Sequence, residues 1–503
     1  MPKFYLTTAI DYSNGDPHLG HALEKVGADC LARWRRLRGD DVHFLMGMDE
    51  HSQSVVQVAA KTGVTPQAWV DRMADTFAGY WRRLNCSHDD WIRTTEPRHG
   101  RAVTTLLERI QARHPEDLFE AEYEGLYCTG CEEFKQESQI VNGHCIEHPT
   151  LPLVPTREKN HFFRLSAYRD RVLALVTSGR LLVEPEIRRN EVVRLLEGGL
   201  QDISISRQRE GWGIPYPGDP TQTVYVWFDA LINYLSATGF PDAGYDRLWP
   251  ADVHVIGKGI TRFHCVIWPA MLLAADVALP RRVWAHGYVQ WGGAKMSKTA
   301  GTAVSLDGAI TRYGTDALRY FLLREIGFEG DGNFSWERFD ARYTADLADT
   351  LGNLVSRTVS MIHRYRNGVV PASDSRLWPR ATDLVAAYQN VMDQVLLHRG
   401  AEELVNLAVF ANRSIEETAP WKLAKTDDHA RLDAVLASLA TIVAQLGWMA
   451  YPFMPAIGAS IWNVLCPGVP LVHDRLAAGI AGLGGRTVGR PVILFPKPQS
   501  VSD

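Results

Sequence analysis

The fold is decided by residues 4–49, FYLTTAIDYSNGDPHLGHALEKVGADCLARWRRLRGDDVHFLMGMD. An apolar, β-prone run at Phe4–Ile10 passes through a turn-rich stretch into Leu19–Leu37, where apolar side chains recur at helical spacing. Gly39 stands where such a helix ends, and Val42–Met48 is apolar again. Strand, turn, helix and strand in this order predict the start of a parallel α/β sheet.

The rest of the chain divides into regions of different character. Residues 116–220 form a module that contains Cys, His and scattered prolines. Beyond about residue 341 the sequence pattern is almost wholly helical. Between these regions, strand-like runs return at Thr223–Phe228, Asp252–Ile256 and Val283–Gln290. A nucleotide-binding sheet that is split by an inserted domain is the simplest interpretation.

The length and composition of the chain narrow the class of protein. A chain of 503 residues is too long for one core, so several domains are expected. A net charge of −5 argues against a surface coated in positive charge, although it leaves room for a local basic footprint. Seven cysteines and an N-terminus without a secretory signal predict a reduced, cytoplasmic protein with a metal site and not a disulfide framework.

One uncharged stretch has the length of a membrane span. Val435–Cys466 carries no formally charged side chain, but Pro452 and Pro455 interrupt it. We interpret this stretch as a buried helix, a Pro-broken turn and a second helix, and we expect a soluble protein with no membrane partner.

The first chemical motif is His18-Leu19-Gly20-His21, where the turn after the first strand enters the first helix. A helix N-terminus offers free N–H groups and a positive dipole end to a phosphate. Two imidazoles three residues apart can donate to oxygens that gain charge during nucleotidyl transfer, and Gly20 leaves room for the nucleotide. Taken alone, the motif fits two surface histidines equally well.

The second motif is Lys295-Met296-Ser297-Lys298-Thr299, which follows the Gly292-Gly293 pair. Two lysines on a Gly-flanked loop are suited to bind the leaving pyrophosphate. Because a loop can move, its contacts with the pyrophosphate can strengthen as negative charge develops in the transition state. A solvated lysine pair is the alternative. The occurrence of this motif together with the histidine motif, on a split α/β sheet, favours the phosphate-binding interpretation.

A third motif consists of Cys128 and Cys131, then Cys145 and His148 after a short excursion. Two close pairs of soft ligands predict a tetrahedral zinc site. Because four protein ligands leave no open position for a substrate, the predicted zinc is structural.

The histidine and lysine motifs together resemble those of class I aminoacyl-tRNA synthetases, and the surrounding residues resemble the methionyl-tRNA synthetase family. The similarity covers nearly the whole chain. It includes Thr8-Ala9-Ile10, Met48-Asp49-Glu50-His51, Trp227-Phe228-Asp229-Ala230, Ile256-Gly257-Lys258, Phe263-His264, Trp268-Pro269-Ala270 and Ala419-Pro420-Trp421. The resemblance implies an ATP-dependent ligase that forms methionyl-adenylate and transfers methionine to the 3′ end of tRNA(Met).

The resemblance implies an α/β fold: a split Rossmann-type parallel sheet with an inserted zinc-binding connective domain, followed by an α-helical anticodon-binding domain. We accordingly predict Rossmann halves at 1–115 and 221–292, a connective-peptide insertion with a zinc knuckle at 116–220, a lysine-loop and stem-contact region at 293–340, an anticodon-binding domain at 341–470 and a C-terminal tail packing back on the body at 471–503. Since the chain ends near residue 503, without the appended dimerisation module of some relatives, a monomer is expected.

The resemblance also implies the residues of the catalytic site. Asp49 resembles the carboxylate that pairs with the ammonium group of methionine. The thioether pocket is implied at Ala9, Ile10, Tyr12, Trp227, Ala230, Tyr234, Ile260 and His264. Aromatic and aliphatic surface suits a polarizable thioether, and the polar tips of Tyr12 and His264 can reach the sulfur. The ATP site, assisted by Mg²⁺, is implied at His18, Gly20, His21, Gly257, Lys258, Lys295, Ser297, Lys298 and Thr299, of which His18, His21, Lys295 and Lys298 are the expected catalytic groups.

In the helical part of the chain, Asn353, Arg357 and Trp421 match the family's anticodon-reading positions. An aromatic face that stacks on an unpaired base, with amide and guanidinium groups that read its edges, is how proteins recognise single-stranded RNA.

Two departures from the family pattern keep alternatives open. Gly259 stands where the family usually has aspartate, and Ser52 where it usually has glycine. They motivate the alternative of a tRNA-binding paralogue that no longer catalyses, although the intact histidine and lysine motifs argue against it. A class I synthetase for another amino acid is the second alternative, but the insertion is too short for the large editing domain of the aliphatic enzymes.

Overall fold

The computed structural model describes the chain except residues 131–132, 136, 147–148, 209–210, 292–293, 296–304, 328–329, 374–377, 472–482 and 497–503. In chain order the strands are β1 (Lys3–Thr8), β2 (Asp11–Tyr12), β3 (Asp41–Asp49), β4 (Asp90–Arg93), β5 (Leu118–Cys128), β6 (Glu133–Lys135), β7 (Ile140–Val141), β8 (His144–Cys145), β9 (Leu153–Phe163), β10 (Leu182–Glu184), β11 (Ile203–Ser204), β12 (Ser206–Gln208), β13 (Pro215–Tyr216), β14 (Asp219–Val224), β15 (Val253–Gly257), β16 (Arg282–His286), β17 (Val289–Trp291), β18 (Ala294–Lys295) and β19 (Gly332–Phe334).

The helices follow the same chain order. They are α1 (Leu19–Leu37), α2 (Gln53–Thr62), α3 (Pro66–Arg83), α4 (Pro97–Arg113), α5 (Arg169–Thr177), α6 (Glu186–Glu197), α7 (Val226–Leu231), α8 (Asn233–Ser236), α9 (Trp268–Ala274), α10 (Leu306–Tyr313), α11 (Thr315–Glu325), α12 (Trp336–Arg342), α13 (Asn353–Arg366), α14 (Pro379–Asp393), α15 (Leu397–Thr418), α16 (Pro420–Leu423), α17 (His429–Ala450) and α18 (Pro455–Leu465). π-Helical segments at Phe263–Ile267 and Tyr343–Gly352 lead into α9 and α13.

The central sheet is parallel throughout. Its order is β10-β16-β15-β1-β3, and both β2 and β4 pair with β3. From β1 the chain runs to β3 on one side and later returns to β15 on the other, so the strand order reverses between β1 and β15. In open α/β sheets, ligands bind in the crevice at the carboxyl ends of the strands at such a reversal.

The first helix begins and ends where the local sequence predicts. His18 is the N-cap of α1, and Gly39, just past the helix, has φ +85°, a conformation that glycine adopts without a Cβ penalty. Its N–H donates to the carbonyl oxygen of Arg36 and so satisfies one of the last carbonyl groups of the helix.

The insertion is organised by one long antiparallel pair. β5 and β9 pair from Leu118 opposite Phe163 to Cys128 opposite Leu153, and β6, β7 and β8 lie in the connection between them. The insertion therefore projects as a β-module that leaves the sheet after α4 and returns to it before β10.

The C-terminal part is helical, as predicted. α17 is long and apolar enough to cross a membrane, but 89% of its most apolar window is buried among neighbouring helices. A turn that contains Pro452 leads from α17 into α18. The interpretation of Val435–Cys466 as a buried helix, a turn and a second helix is thus confirmed.

Two expected strands differ in the structure. The run Thr223–Phe228 is strand only to Val224, after which α7 begins, because a short buried apolar run has no periodicity that separates strand from helix. Val283–Gln290 is two strands, β16 and β17. They are separated at Gly287, where an added Cβ would collide with the backbone of Gly330.

Candidate active site

A cavity of about 260 Å³ opens where the strand order reverses between β1 and β15. Its wall comes from six separate stretches of the sequence. The lining residues are Ala9, Ile10, Asp11, Tyr12, His21, Glu24, Asp49, Trp227, Ala230, Leu231, Tyr234, Gly257, Gly259, Ile260, Phe263, His264 and Tyr288. Every residue predicted for the thioether pocket, and Asp49, lines this one cavity.

Stacked aromatic rings form one wall of the cavity. The ring of Trp227 is parallel to that of Phe263, with 4.6 Å between centroids, and also to that of Tyr12, with 6.0 Å between centroids. Trp227 is held in the first turn of α7, so the helix that replaced the expected strand is what places this ring. Such a wall contacts an apolar or thioether side chain through its faces and edges.

The polar groups behind this wall are satisfied within the protein. The hydroxyl of Tyr234 donates to Nε2 of His264 at 2.6 Å, and Nδ1 of His264 donates to the carbonyl oxygen of Ile260 at 3.0 Å. Burial lowers the pKa of His264 to about 4, which keeps the imidazole neutral. In this arrangement both nitrogens of His264 are engaged, so the predicted donation from His264 to a sulfur requires the Tyr234 bond to change.

Asp49 lies at the carboxyl end of β3, and only 2% of the residue is exposed. Its carbonyl oxygen accepts from the backbone N–H and the hydroxyl of Ser13, which ties the end of the strand to the turn before α1. These bonds hold the backbone of Asp49, and its side chain lines the cavity, where a small cationic group could pair with the carboxylate.

The histidine motif builds the N-terminus of α1. Nδ1 of His18 accepts from the N–H of Gly20 at 3.0 Å, Nδ1 of His21 accepts from the N–H of His18 at 3.2 Å, and the two rings stack with centroids 3.9 Å apart. A Cβ on Gly20 would lie 2.8 Å from the ring of His18. Gly20 is therefore needed for the histidine cap, in addition to any room that it leaves for a nucleotide.

A buried charge cluster that was not predicted borders the cavity, and two of its members, Asp11 and Glu24, line the wall. The ammonium group of Lys25 lies 2.9 Å from Asp11 and 2.7 Å from Glu24, and Glu24 also meets His286 at 3.3 Å. Burial raises the pKa of Asp11 to about 6 against the opposing effect of Lys25. For Glu24, burial is outweighed by Lys25 and His286, and the pKa falls to about 2. A Glu-Lys pair at helix positions that are otherwise apolar was the available signal.

A second network lies behind Tyr288 of the cavity wall. Asp331 accepts from the ammonium group of Lys258 at 2.7 Å, from the backbone N–H of Tyr288 at 2.8 Å and from Gln290 at 3.0 Å. Lys258 also lies over the ring of Tyr288, 4.6 Å from its centroid. Lys258, predicted to bind ATP, thus does not line the cavity and instead joins β15 to the strand that precedes the lysine motif.

The lysine motif lies largely outside the described residues. The backbone of Lys295 belongs to β18 and pairs with Gln290, while Ser297, Lys298 and Thr299 fall among the residues that the structure does not describe. β17, the strand before the motif, begins one residue after Tyr288 of the cavity wall.

The two family departures have local explanations. The hydroxyl of Ser52 accepts from the N–H of Val55 at 3.2 Å and so caps α2. At Gly259, the space that a side chain would enter is occupied by Tyr288. Gly259 itself lines the cavity, so the wall lacks a side chain at that position, whereas Ser52 is not a lining residue.

The Asp-Glu-His and Trp-Phe-Asp-Ala motifs meet at one buried carboxylate. Asp229 accepts from Nδ1 of His51 at 2.7 Å and from Nε2 of His99, and it is fully buried. Burial alone would raise the pKa of Asp229, but the two histidines outweigh it and lower the pKa to about 2. This network anchors α7, and with it Trp227, against the loop that follows Asp49.

Two of the four predicted zinc ligands are described. Cys128 and Cys145 are both buried. Cys128 lies opposite Leu153, the first residue of β9, and His144, the residue before Cys145, bridges to Pro152. Cys131 and His148 lie outside the described residues, and within the described part no group of three or more metal-binding side chains is assembled.

The predicted anticodon residues share one end of the helical domain. Asn353 is exposed at the start of α13, and the guanidinium of Arg357 donates to Glu416 of α15 at 2.6 Å. That ion pair holds α13 beside the C-terminal end of α15. Trp421 follows shortly afterwards in α16, and 36% of its surface is exposed. The large exposed ring is compatible with a stacking function.

Known proteins resemble the whole chain. Residues 4–150 and 138–359 match the family described as tRNA synthetases class I (M), and residues 366–497 match the anticodon binding domain of methionyl tRNA ligase. A methionine–tRNA ligase of Caldanaerobacter subterraneus subsp. tengcongensis is 40% identical, covering 98% of this chain and 78% of that protein. One from Brucella suis is 39% identical and covers 98% of both chains. The solved structure of Mycobacterium tuberculosis methionyl-tRNA synthetase in complex with methionyl-adenylate is 38% identical, with a TM-score of 0.92 over 99% of this chain and 100% of that one.

Proposed function

Because the chain belongs to the methionyl-tRNA synthetase family of class I, we propose how its residues divide the work of ligating methionine to tRNA. In the first step the methionine carboxylate attacks the α-phosphorus of ATP, which enters with Mg²⁺, and pyrophosphate leaves. In the second step a hydroxyl at the tRNA 3′ end attacks the carbonyl carbon of methionyl-adenylate, and AMP leaves. The relatives support neither another amino acid nor an inactive paralogue.

The observation that carries the assignment is the convergence of distant residues on one cavity. Asp49 receives the ammonium group of methionine, because a buried carboxylate at a strand end is the charge-assisted partner that such a group needs. The wall of Trp227, Tyr12 and Phe263 receives the thioether. An amino acid held at both ends presents its carboxylate to the nucleotide in one orientation.

The N-terminus of α1 acts on the phosphates. Since Nδ1 of His18 and Nδ1 of His21 both accept backbone N–H groups, each neutral ring carries its proton on Nε2, the atom that would donate to phosphate oxygens. Together with the helix dipole, these donors stabilise charge that develops on the leaving pyrophosphate. Lys295 and Lys298 complete that stabilisation from the loop after β17.

A structural zinc belongs to the connective insertion in this proposal. Cys128, Cys131, Cys145 and His148 would hold it, and buried thiols at Cys128 and Cys145 have the soft-donor chemistry that zinc takes. When bound, the ion cross-links the short strands between β5 and β9, which have little apolar core of their own.

The anticodon of tRNA is read by the helical domain. The exposed ring of Trp421 stacks on an unpaired base, while Asn353 and Arg357 read base edges beside it.

We expect the protein to be a cytoplasmic monomer. Light scattering of the purified chain measures its molar mass and so tests whether it is a monomer.

The experiment is amino-acid-dependent exchange of pyrophosphate into ATP. Methionine is expected to support exchange, whereas leucine, isoleucine, valine and cysteine at equal concentration are not, and tRNA with a CAU anticodon should then be charged. Exchange that depends equally on another of these amino acids, or no exchange with methionine, would overturn the proposal.

A further inference from the structure

Gly259 and Tyr288 compete for one space at the mouth of the cavity. A Cβ built on Gly259 would collide with the hydroxyl oxygen of Tyr288, whereas the ring carbon Cζ would lie at 3.5 Å, an ordinary contact. The φ of Gly259 is outside the left-handed region, so its backbone conformation does not require glycine. The tyrosine hydroxyl is therefore what excludes a side chain at residue 259.

The ring of Tyr288 is held in this position by the network around Asp331. The backbone N–H of Tyr288 donates to Asp331 at 2.8 Å, and the Lys258 ammonium group that pairs with Asp331 also lies over the ring. The cation above the ring face and the hydrogen bond of the backbone hold the Tyr288 side chain in place. The position of its hydroxyl group is therefore fixed as well.

The position is one that a nucleotide sugar reaches. Gly257, Gly259 and Tyr288 line the same cavity as His21, and Gly257 is the last residue of β15 at the strand-order reversal. The sugar is covalently next to the α-phosphate, so a nucleotide with its phosphates at the start of α1 has its sugar against an adjoining part of the wall.

We propose that the hydroxyl of Tyr288 binds a ribose hydroxyl of ATP, and that it replaces the polar side chain which residue 259 lacks in this chain. The assignment rests on the proposed function, because it places ATP in this cavity. It also accounts for both observations at once: glycine at 259 makes room for the tyrosine hydroxyl, and the tyrosine hydroxyl restores a polar group to that place.

The first test is exchange kinetics of Tyr288→Phe with ATP, 2′-deoxy-ATP and 3′-deoxy-ATP. Loss of one uncharged hydrogen bond should lower kcat/KM for ATP about three- to tenfold. The analogue that lacks the bound hydroxyl should be used equally well by wild type and variant, and the KM for methionine should not change. Tyr365→Phe, a tyrosine of α13 outside the cavity, is the matched control.

The second test exchanges the two partners. Gly259→Asp alone should impair ATP use, because its Cβ meets the tyrosine hydroxyl. In Gly259→Asp combined with Tyr288→Phe that oxygen is gone, so the double variant should recover preference for ATP over the sensitive deoxy analogue. A purely structural tyrosine would give a double variant no better than either single one.

The outcomes are separable. If wild type catalyses methionine-dependent exchange and Tyr288→Phe keeps the wild-type kcat/KM for ATP and both analogues, this assignment is overturned while the proposed function stands. If wild type shows no methionine-dependent exchange, the proposed function fails and the assignment fails with it.

Discussion

Arg319 and Asp29 form an ion pair in which both side chains are fully buried, with 2.7 Å between Nη2 and Oδ2. Asp29 belongs to α1, whose first turn carries the histidine pair of the active site. The same guanidinium donates to the carbonyl oxygens of Pro452 and Phe453, in the turn between α17 and α18. The helix that begins at the cavity is thereby fastened at its middle to the C-terminal helices.

Removal of the guanidinium should destabilise the protein strongly. Arg319→Met takes one guanidinium group away from a buried carboxylate that Arg33 also contacts, and breaking a buried ion pair typically costs about 3–5 kcal/mol. Urea unfolding measures the change in free energy. Arg413→Met, which breaks an exposed pair with Glu417, is the control and should cost less than about 1 kcal/mol. Equal losses in the two variants would show that burial of the Asp29 pair contributes nothing.

The same carboxylate predicts an acid-labile fold. Burial alone would raise the pKa of Asp29, but Arg319 and Arg33 outweigh burial and lower the pKa to about 2. An unfolded aspartate titrates near pH 3.9, so this contribution to stability is complete above about pH 4 and is lost as the pH falls towards about 2. The free energy of unfolding should therefore decrease with pH in this window. Asp29→Asn should show a shallower decrease, and an unchanged slope would refute the assignment.

Removal of the Trp421 ring, which we propose stacks on an anticodon base, should separate the two steps of the reaction. Trp421→Ala is expected to cost about 1–3 kcal/mol of tRNA binding, which lowers charging of tRNA by roughly one to two orders of magnitude. Methionine-dependent exchange should stay near the wild-type rate, because Trp421 lies on the helical domain and not in the cavity wall. Val409→Ala, an exposed apolar residue of α15, is the control. A parallel loss of exchange, charging and melting temperature would make Trp421 a core residue instead.

Zinc should be bound by the insertion and not by the catalytic body. Purified protein is expected to contain about one zinc per chain, from the single complete ligand set. Cys145→Ser should lower the zinc content and increase proteolysis between β5 and β9, whereas Cys86→Ser, outside the insertion, should change neither. Wild-type protein that lacks zinc and still resists proteolysis would contradict the zinc site.

The parts of the structure that the sequence predicted are those with local or family-wide signals. α1 matches its predicted bounds because its cap, His18, and its terminating glycine, Gly39, act within a few residues of the helix ends. The residues predicted for the thioether pocket were chosen through their joint match to the family, since each aromatic residue alone would be interpreted as ordinary core. The strand-order reversal then places those residues around one cavity.

The parts that were missed depend on contacts between distant residues. The sequence alone suggests a polar turn at Asp11 and a charged helix face at Glu24 and Lys25. Only the folded chain buries these three residues together beside His286. The collision between Gly259 and Tyr288 likewise joins two loops far apart in sequence. The Glu24-Lys25 pair in an otherwise apolar part of the helix marks two of these residues, but no local pattern of charge or hydropathy predicts which distant residues they contact.

The central claim is that methionyl-adenylate forms in the cavity at the start of α1, with His21 stabilising the charge that passes to pyrophosphate. The most direct measurement is methionine-dependent exchange of pyrophosphate into ATP by wild type, His21→Ala and the distant control His114→Ala, with melting temperatures recorded for all three. Loss of one preorganised donor should lower exchange about 10²–10³-fold in His21→Ala, with methionine binding nearly normal and the control unaffected. Wild-type exchange by a folded His21→Ala variant would contradict the claim.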